Sequence, residues 1–206
     1  MAKRSAPEVN AGSMADIAFL LLIFFLVTTT IESDTGINRK LPPKLPDEIE
    51  NPPIIKQKNL FTVDVNKFNQ ILVEEEEMPL KDLRAATIAF LDNGGGKKAD
   101  GVEPCNYCRG KRDPESSDNP EKAVVSLKNS RETNYETYIA IQNEIVAAYK
   151  FLRDRESKRL FNIPYAELKQ AYKDAPKDSD ERTELAKKVD EVENLYPEKF
   201  SEAESD

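Results

Sequence analysis

A largely apolar segment at residues 12–31, GSMADIAFLLLIFFLVTTTI, constrains this chain more than any other feature of its sequence. The segment has twenty residues and carries one charge. At about 1.5 Å of rise per residue, a helix of that length spans roughly the 30 Å hydrocarbon core of a bilayer. The sequence therefore predicts a single N-terminal transmembrane helix over 12–31.

A cleavable signal peptide is the competing interpretation of this segment. Lys3 and Arg4 would form its basic region and residues 17–27 its apolar region. Two features argue against cleavage: Asp16 directly precedes the apolar run, and the following sequence TTTIESD lacks a small-x-small cleavage site. We therefore favour a permanent anchor.

Charges on either side of the segment predict its orientation. Lys3 and Arg4 precede it, whereas Glu32 and Asp34 follow it. The positive-inside rule then makes residues 1–11 a cytoplasmic tail. The rest of the chain would lie outside, in a periplasm-like space.

Asp16 is the candidate functional residue of this segment. A carboxylate at the centre of a spanning helix costs about 2.5 to 3.5 kcal/mol, and less near an end. One interpretation is an interfacial group that reaches the cytoplasmic surface. The other is a proton carrier that faces protein. Its support is a series of residues at alternating steps of three and four, the spacing of a left-handed helix seam. The residues of this series are Ser13, Asp16, Leu20, Ile23, Val27 and Thr30. Polar helpers toward the entry side would be Thr28, Thr29 and Thr30.

Residues 32–58 have the composition of an extended linker, because they contain five prolines and no long apolar run. At about 3.1 Å per residue this linker could reach on the order of 80 Å. It could instead form a compact strand-and-turn connection, or pair as an edge strand in a dimer.

The remaining residues, 59–206, predict one small α+β domain. Alternating apolar residues favour a β-hairpin with arms at 60–65 and 70–73. Helical periodicity follows at 80–91 and 133–152, with a short buried strand at 123–127 between them. This order of elements is typical of a two-layer α/β structure.

Two segments would add to this small domain. Residues 93–121 are rich in Gly, Lys, Asp, Pro and Ser and predict a long inserted loop. Residues 160–196 predict a charged helical extension with helices at 165–173 and 179–195, and 197–202 could return as an edge strand.

The inserted loop contains the chain's two cysteines, Cys105 and Cys108, as CNYC. In an oxidising compartment a small-ring disulfide is the favoured interpretation. A thioredoxin-like site, and with it a secreted thiol oxidoreductase, would need the pair at a helix N-terminus in a βαβ setting. A zinc site would need carboxylates or the same pair from a second subunit, so we predict neither metal nor cofactor.

Composition excludes several functional classes. The net charge is -8, which argues against a nucleic-acid partner, since phosphate binding needs clustered Lys and Arg. The chain has no His, which removes Ser-His-Asp and Cys-His catalysis. Most hydrolase classes therefore lose their central residue, and carboxylates, Lys, Tyr and two Cys are left as chemical candidates.

These features together resemble the ExbD/TolR family of inner-membrane biopolymer transport proteins. The similarity lies in DIAFLLLIFFLVTTTI, which begins at Asp16, and in NRKLPP at 38–43. It continues through LFTVDVNKFNQILV, the helix at 80–91, the strand AVVSL and NYETYIAIQNEIV, in the order of the family's periplasmic domain. The insert, its CNYC and the extension depart from the family's pattern.

The resemblance implies a non-enzymatic energy transducer. It implies a homodimer whose two helices sit inside a pentameric ring of an ExbB/TolQ-like multispanning subunit, with proton flow through Asp16 coupled to rotation. A TonB- or TolA-like partner would carry the work to the outer membrane, and some relatives are thought to grip peptidoglycan. We expect the ExbD-like role in TonB-dependent transport; a TolR-like envelope role or a passive membrane-anchored scaffold are the alternatives.

Overall fold

The computed structural model describes residues 11–28 and 56–205, and its contacts divide the chain into the units Met1–Asn51 and Pro52–Asp206. In the first unit the described residues form one helix, α1 (Ala11–Thr28). Neither described range contains a helix whose length and hydropathy suffice for a bilayer crossing. Residues 1–10 of the predicted tail at 1–11, residues 29–31 of the predicted span and residues 32–55 of the predicted linker lie outside the described residues. Ala11, the last residue of the predicted tail, begins α1.

The second unit contains a five-stranded mixed sheet with the strand order β3-β2-β1-β4-β5. Its strands are β1 (Leu60–Val65), β2 (Ile71–Val73), β3 (Glu76–Glu77), β4 (Val124–Ser130) and β5 (Phe200–Ser205). The first three form an antiparallel meander, and β1, β4 and β5 run parallel. Together with the helices, this sheet confirms the predicted α+β class.

Strand β1 shows why the sequence alternation specifies this sheet. Phe61, Val63 and Val65 are buried, while Thr62 and Asp64 between them are partly exposed. In the following turn the Asn66 carboxamide oxygen accepts hydrogen bonds from the backbone N–H groups of residues 68 and 70. Such side-chain caps favour a turn over a continued strand.

Four helices accompany the sheet: α2 (Leu80–Leu91), α3 (Tyr135–Phe161), α4 (Tyr165–Asp174) and α5 (Asp180–Leu195). The buried face of β1 and β4 packs against α2 and α3, and these elements supply most of one hydrophobic core. Its members include Phe61, Val63, Leu83, Phe90, Val125, Leu127, Ile141, Ile145, Tyr149, Leu152 and Tyr196. Helices and sheet thus form the predicted two-layer arrangement.

Helix α3 ends at Phe161, well beyond the predicted end at 152. The apolar periodicity stops there because the next buried side chains are polar, namely Arg153, Glu156 and Ser157. The helix ends where Asn162 adopts a left-handed φ of 56° and its N–H bonds to the Lys158 carbonyl. A search for apolar repeats cannot see a helix face made of paired charges.

Smaller differences concern the strands. Strand β4 extends to Ser130, whereas apolar residues predicted an end at 127. The C-terminal strand is an edge strand as predicted, but it begins at Phe200 and not at 197. Strand β3 was not predicted, because its two residues are exposed glutamates that pair with β2 through the backbone alone.

Helices α4 and α5 form a pair that precedes β5. The Tyr165 hydroxyl donates to the Glu193 carboxylate at 2.8 Å, and the Lys169 ammonium lies 3.2 Å from the same carboxylate oxygen. Helix α5 begins at the N-cap Ser179, whose hydroxyl accepts from the Arg182 N–H at 3.1 Å. The predicted helical extension therefore leads directly into the strand that pairs with β4.

Candidate functional site

Helix α1 carries the predicted proton-carrying residue. Asp16 is its only ionisable side chain and is exposed in this unit. The large apolar side chains around it are also exposed, from 40% for Ile23 to 63% for Leu22. Because isolated surface helices of soluble proteins have a polar face, a helix that exposes apolar side chains on all sides requires lipid or protein around it.

The other predicted seam residues fall on the same helix as Asp16, with one exception. Leu20 and Ile23 follow Asp16 at steps of four and three, which keeps all three along one stripe of α1. Ser13 and Val27 lie within the bounds of α1, and Thr30 lies outside the described residues. The structure thus gives the register of the stripe, while the partner that it would face is a proposal.

In the second unit, the inserted loop is fastened to the end of α2 by the polar residue Asn93. Its carboxamide nitrogen donates to the carbonyls of Asp113 and Ser117, both at 2.8 Å, and its oxygen accepts from the Asp113 N–H at 2.9 Å. Gly95 lies so close to the backbone of Asp113 that an added Cβ would sit 2.0 Å from the Asp113 carbonyl oxygen. The glycine run after α2 therefore permits direct backbone contact across the loop.

Cys105 and Cys108 are joined by a disulfide within this loop. Each is only 5% exposed. A Cβ at Gly94, which has a φ of +66°, would lie 2.7 Å from the Cys108 Cβ. The disulfide packs on this glycine in a loop and not at a helix N-terminus, and its joined sulfurs are not available as thiolate ligands for zinc.

A buried ion-pair network lies beside the disulfide, and sequence reasoning missed it. Asp92, the C-cap of α2, accepts two hydrogen bonds from the Arg155 guanidinium of α3, at 2.6 Å and 2.8 Å. The Tyr196 hydroxyl, directly after α5, donates to the same carboxylate at 2.5 Å. The Arg109 N–H of the loop donates to it at 3.2 Å. One carboxylate thus connects α2, the loop, α3 and the end of α5.

Two further residues, Tyr107 and Glu156, extend this network. We call it the Asp92 network and define it as Asp92, Tyr107, Arg155, Glu156 and Tyr196. Tyr107, the residue between the cysteines, packs edge-on against Tyr196 with ring centroids 5.6 Å apart, and its hydroxyl donates to the Leu195 carbonyl at 2.8 Å. The Arg155 Nε–H donates at 2.9 Å to the fully buried carboxylate of Glu156.

The electrostatics of the network favour a charged Asp92 and neutral phenols. Burial acts to raise the pKa of Asp92, but hydrogen bonds from Arg155 and Tyr196 outweigh burial, so that the pKa lies below its ordinary value. Burial raises the pKa of Tyr107 to about 12, with the nearby acids adding to the effect. Burial, together with Asp92, also raises the pKa of Tyr196. Both tyrosines therefore remain hydrogen-bond donors at neutral pH.

The sequence did contain a signal for part of this network. The buried face of α3 continues from Tyr149 and Leu152 to Glu156 at steps of three and four. A charge at a position that periodicity assigns to the core indicates a buried ion pair. No local pattern identifies Asp92 or Tyr196 as its neighbours, because they are distant in sequence.

The arrangement provides structural connections and no recognisable reaction centre in the described part of the chain. The network's acids are paired with arginines, and its tyrosines are protonated donors. Across residues 11–28 and 56–205, no cluster of three or more Cys, Asp or Glu is placed to hold a metal ion.

Comparison with known proteins adds one finding. The profile of the family described as Biopolymer transport protein ExbD/TolR matches residues 2–151, well over half of the chain. No individually curated protein is similar enough to match. The matched region includes α1, β1 to β4, α2 and the inserted loop, and it ends within α3. Helices α4 and α5 and strand β5 lie outside it.

Proposed function

This chain belongs to the ExbD/TolR family of biopolymer transport proteins, and on that premise we propose that it is an ExbD-like subunit that drives transport by passing protons through Asp16. The family is associated with the inner membrane and acts in energy transduction for biopolymer transport, as a non-enzymatic component. Its members generally work with ExbB/TolQ and TonB/TolA partners. The family alone does not distinguish ExbD-like from TolR-like proteins.

The observation that carries the proposal is a lone carboxylate on an apolar helix. Asp16 is the only ionisable residue of α1, and Leu20 and Ile23 extend the stripe on which it lies. Ionisable residues in membrane segments are rare because they cost several kcal/mol, and by default they mark ion or proton pathways. An electrical potential of 100 mV supplies about 2.3 kcal/mol per charge that crosses the membrane. Each proton passing through Asp16 would therefore deliver enough energy to shift a conformational equilibrium.

The proposed topology is a single span with the N-terminus in the cytoplasm. Its support is the asymmetry between Lys3 and Arg4 on one side and Glu32 and Asp34 on the other. The disulfide of the second unit fits this orientation, since such bonds persist in the oxidising periplasm and are rare in the cytosol. Cysteine-accessibility labelling at introduced sites on either side of α1 tests the topology.

The proposed assembly is a homodimer within a pentameric ring of an ExbB/TolQ-like subunit, which passes work to a TonB-like protein. Its support is the family, together with the apolar helix α1, whose side chains are exposed when the chain is considered without partners. Purification from membranes should recover a multispanning subunit in excess over this chain. Recovery of a lone monomer would contradict the motor assembly and favour a scaffold.

Substitution of Asp16 tests the proton-carrying role in cells. We expect Asp16→Asn to retain expression and assembly with the multispanning subunit but to reduce proton-driven uptake to the background of a deletion strain. Asp16→Glu, which keeps an ionisable carboxyl group, should retain part of the activity. Asp82→Asn, in the first turn of α2, is the matched control and should leave uptake unchanged.

Two further strains separate the alternatives. A chain whose residues 12–31 are replaced by an unrelated neutral helix should fail as a transducer, whereas a passive scaffold would tolerate the exchange. A TolR-like role predicts that deletion of the gene leaves TonB-dependent uptake intact and weakens the outer membrane. Normal uptake by the Asp16→Asn strain would refute the proton-carrying role.

A further inference from the structure

A groove of about 690 Å³ opens on the second unit beside the turn between β1 and β2. The β2–β3 hairpin and the first turns of α2 and α3 form its walls. Its apolar lining comes from Ile71, Met78, Pro79, Leu80 and Ala140. It lies within the family-matched region but involves neither α1 nor the Asp92 network.

Exposed aromatic side chains flank this groove. Within residues 56–205 the large apolar side chains that are strongly exposed are Phe68, Tyr135 and Phe151. Phe68 is 70% exposed and Tyr135 is 73% exposed, and each directly precedes a residue of the lining in sequence. Exposed apolar groups gathered around a groove with a polar rim mark an interaction site.

The two ionisable side chains that line the groove are both acidic. Glu77 and Glu136 line it, and no lysine or arginine belongs to its lining. The exposed glutamates at 74–76 precede Glu77 in the same hairpin. The nearest lysine of the turn, Lys67, lies over the Phe68 ring at 5.3 Å from its centroid. A basic ligand would therefore meet complementary charge at Glu77 and Glu136.

Hydrogen bonds hold the groove walls in place. The Asn69 side chain, in the turn, accepts from the Asn134 N–H at the start of α3 at 2.8 Å. Asn134 in turn caps α3, accepting from the Glu136 N–H at 3.1 Å. On the other wall, the Gln70 amide donates to Glu77 at 3.3 Å. A site fixed before binding loses less entropy when its ligand arrives.

We propose that this groove docks a basic peptide segment of a partner protein, in which lysine or arginine residues alternate with aliphatic ones. The aliphatic side chains would cover Ile71, Met78 and Leu80, and the cations would pair with Glu77 and Glu136. The exposed rings of Phe68 and Tyr135 would add cation–π contacts at the rim. This inference goes beyond the proton-carrying role and does not depend on it.

Binding of synthetic peptides to the full-length chain in detergent tests this assignment. The probe is a short fluorescent peptide of alternating lysine and valine, and fluorescence anisotropy measures its binding. A glutamate–valine peptide should bind at least roughly tenfold more weakly, and a lysine–serine peptide should also lose affinity. Binding of the lysine–valine peptide should weaken as salt rises, because the glutamates are exposed.

Two variants of the groove separate charge from shape. Glu77→Lys with Glu136→Lys should weaken the lysine–valine peptide roughly tenfold, whereas the matched control, Glu184→Lys with Glu191→Lys on α5, should change affinity by no more than about twofold. Ala140→Trp would fill the groove without a change of charge and should also weaken binding roughly tenfold. If Ala140→Trp fails to fold by circular dichroism, the charge variants decide the test.

Three results would overturn the inference. The first is no detectable binding of the lysine–valine peptide. The second is a control pair that weakens binding as much as the groove pair does, which would reduce the effect to the net charge of the chain. Self-association that Ala140→Trp abolishes would make a second copy the occupant. None of these results would bear on Asp16, whose variants are tested by transport.

Discussion

Replacement of Asp92 by asparagine isolates the charge that connects α2, the inserted loop, α3 and the end of α5. The carboxylate accepts a bidentate pair from Arg155 and further bonds from Tyr196 and the Arg109 N–H. Asparagine keeps the volume and one acceptor oxygen. It removes the negative charge and presents an NH₂ group toward a guanidinium, which is also a donor. Arg155 would then keep its ion pair with Glu156.

The size of the effect follows from burial. The Asp92 and Arg155 side chains are 7% and 17% exposed. Loss of one partner of such a buried pair costs about 3 to 5 kcal/mol of unfolding free energy, because the other charge stays buried. We expect about 3 kcal/mol for Asp92→Asn, since the amide oxygen can keep one bond. For a domain of this size that corresponds to a decrease in Tm of roughly 10 °C.

The chain itself supplies a matched control. Arg84 and Glu144 form the same bidentate arrangement on the surface, at 2.8 Å and 3.1 Å, with Arg84 51% exposed. Glu144→Gln should cost less than about 1 kcal/mol, as exposed pairs do. Urea unfolding of the full chain in detergent, followed by circular dichroism and tyrosine fluorescence, measures both, since the chain has no Trp.

Acid should reduce the difference in unfolding free energy between wild type and Asp92→Asn. The folded pKa of Asp92 is lowered: burial raises it, but the bonds from Arg155 and Tyr196 outweigh burial. The carboxylate's contribution is therefore fully present above the ordinary aspartate pKa and is lost as pH falls through the folded value. The gap in unfolding free energy should narrow below about pH 4. If Asp92→Asn costs no more than Glu144→Gln at pH 7, the reasoning about burial is refuted.

Two further predictions concern the inserted loop. Replacement of Cys105 and Cys108 by serine should lower the free energy of unfolding by about 2 kcal/mol, the chain-entropy value for so short a ring. In wild type these buried sulfurs should react with a thiol label only after denaturation and reduction together. Labelling of the native, unreduced chain would contradict the disulfide. Gly110→Ala should lower the free energy of unfolding by more than Gly101→Ala does in the same urea assay. A Cβ at Gly110 would lie 2.5 Å from the Asp92 carbonyl oxygen, whereas a Cβ at Gly101, with φ +70°, would have nothing within 4 Å. Similar losses of unfolding free energy for the two variants would show that the loop can shift away.

Elements with strong local periodicity were predictable from the sequence. The hairpin arms, the helix at 80–91 and the helix starting near Tyr165 are all present within a residue or two of the predicted bounds. In each, apolar residues alternate or repeat at helical steps, so that neighbouring positions in sequence report the same buried face. The predicted order of strands and helices also gave the two-layer class.

Other features depended on contacts between distant residues. The parallel pairing of β1 with β4, and of β4 with β5, joins segments that only the folded chain brings together. The last turns of α3 are stabilised by Arg153, Arg155 and Glu156, which an apolar repeat does not detect. Strand β3 pairs through backbone groups of two glutamates, so its side chains carry no signal of a strand.

The candidate sites divide in the same way. Asp16 was recognisable because a charge in an apolar run is conspicuous in sequence, and the CNYC pair because cysteines are few. The Asp92 network was not recognisable, because no sequence pattern connects Asp92 with Tyr196. Only the fold brings the Tyr196 hydroxyl to 2.5 Å from the Asp92 carboxylate. The acidic groove was likewise invisible, since its walls come from three separate segments.

Proton uptake by membrane vesicles tests the central claim most directly. Vesicles that contain this chain with its multispanning partner would be given a pH gradient and a membrane potential, and their internal pH followed with a fluorescent dye. We predict proton flux above that of vesicles with the partner alone, reduced to that background by Asp16→Asn and retained in part by Asp16→Glu. Undiminished flux with Asp16→Asn, at equal assembly, would contradict the claim that protons pass through this carboxyl group.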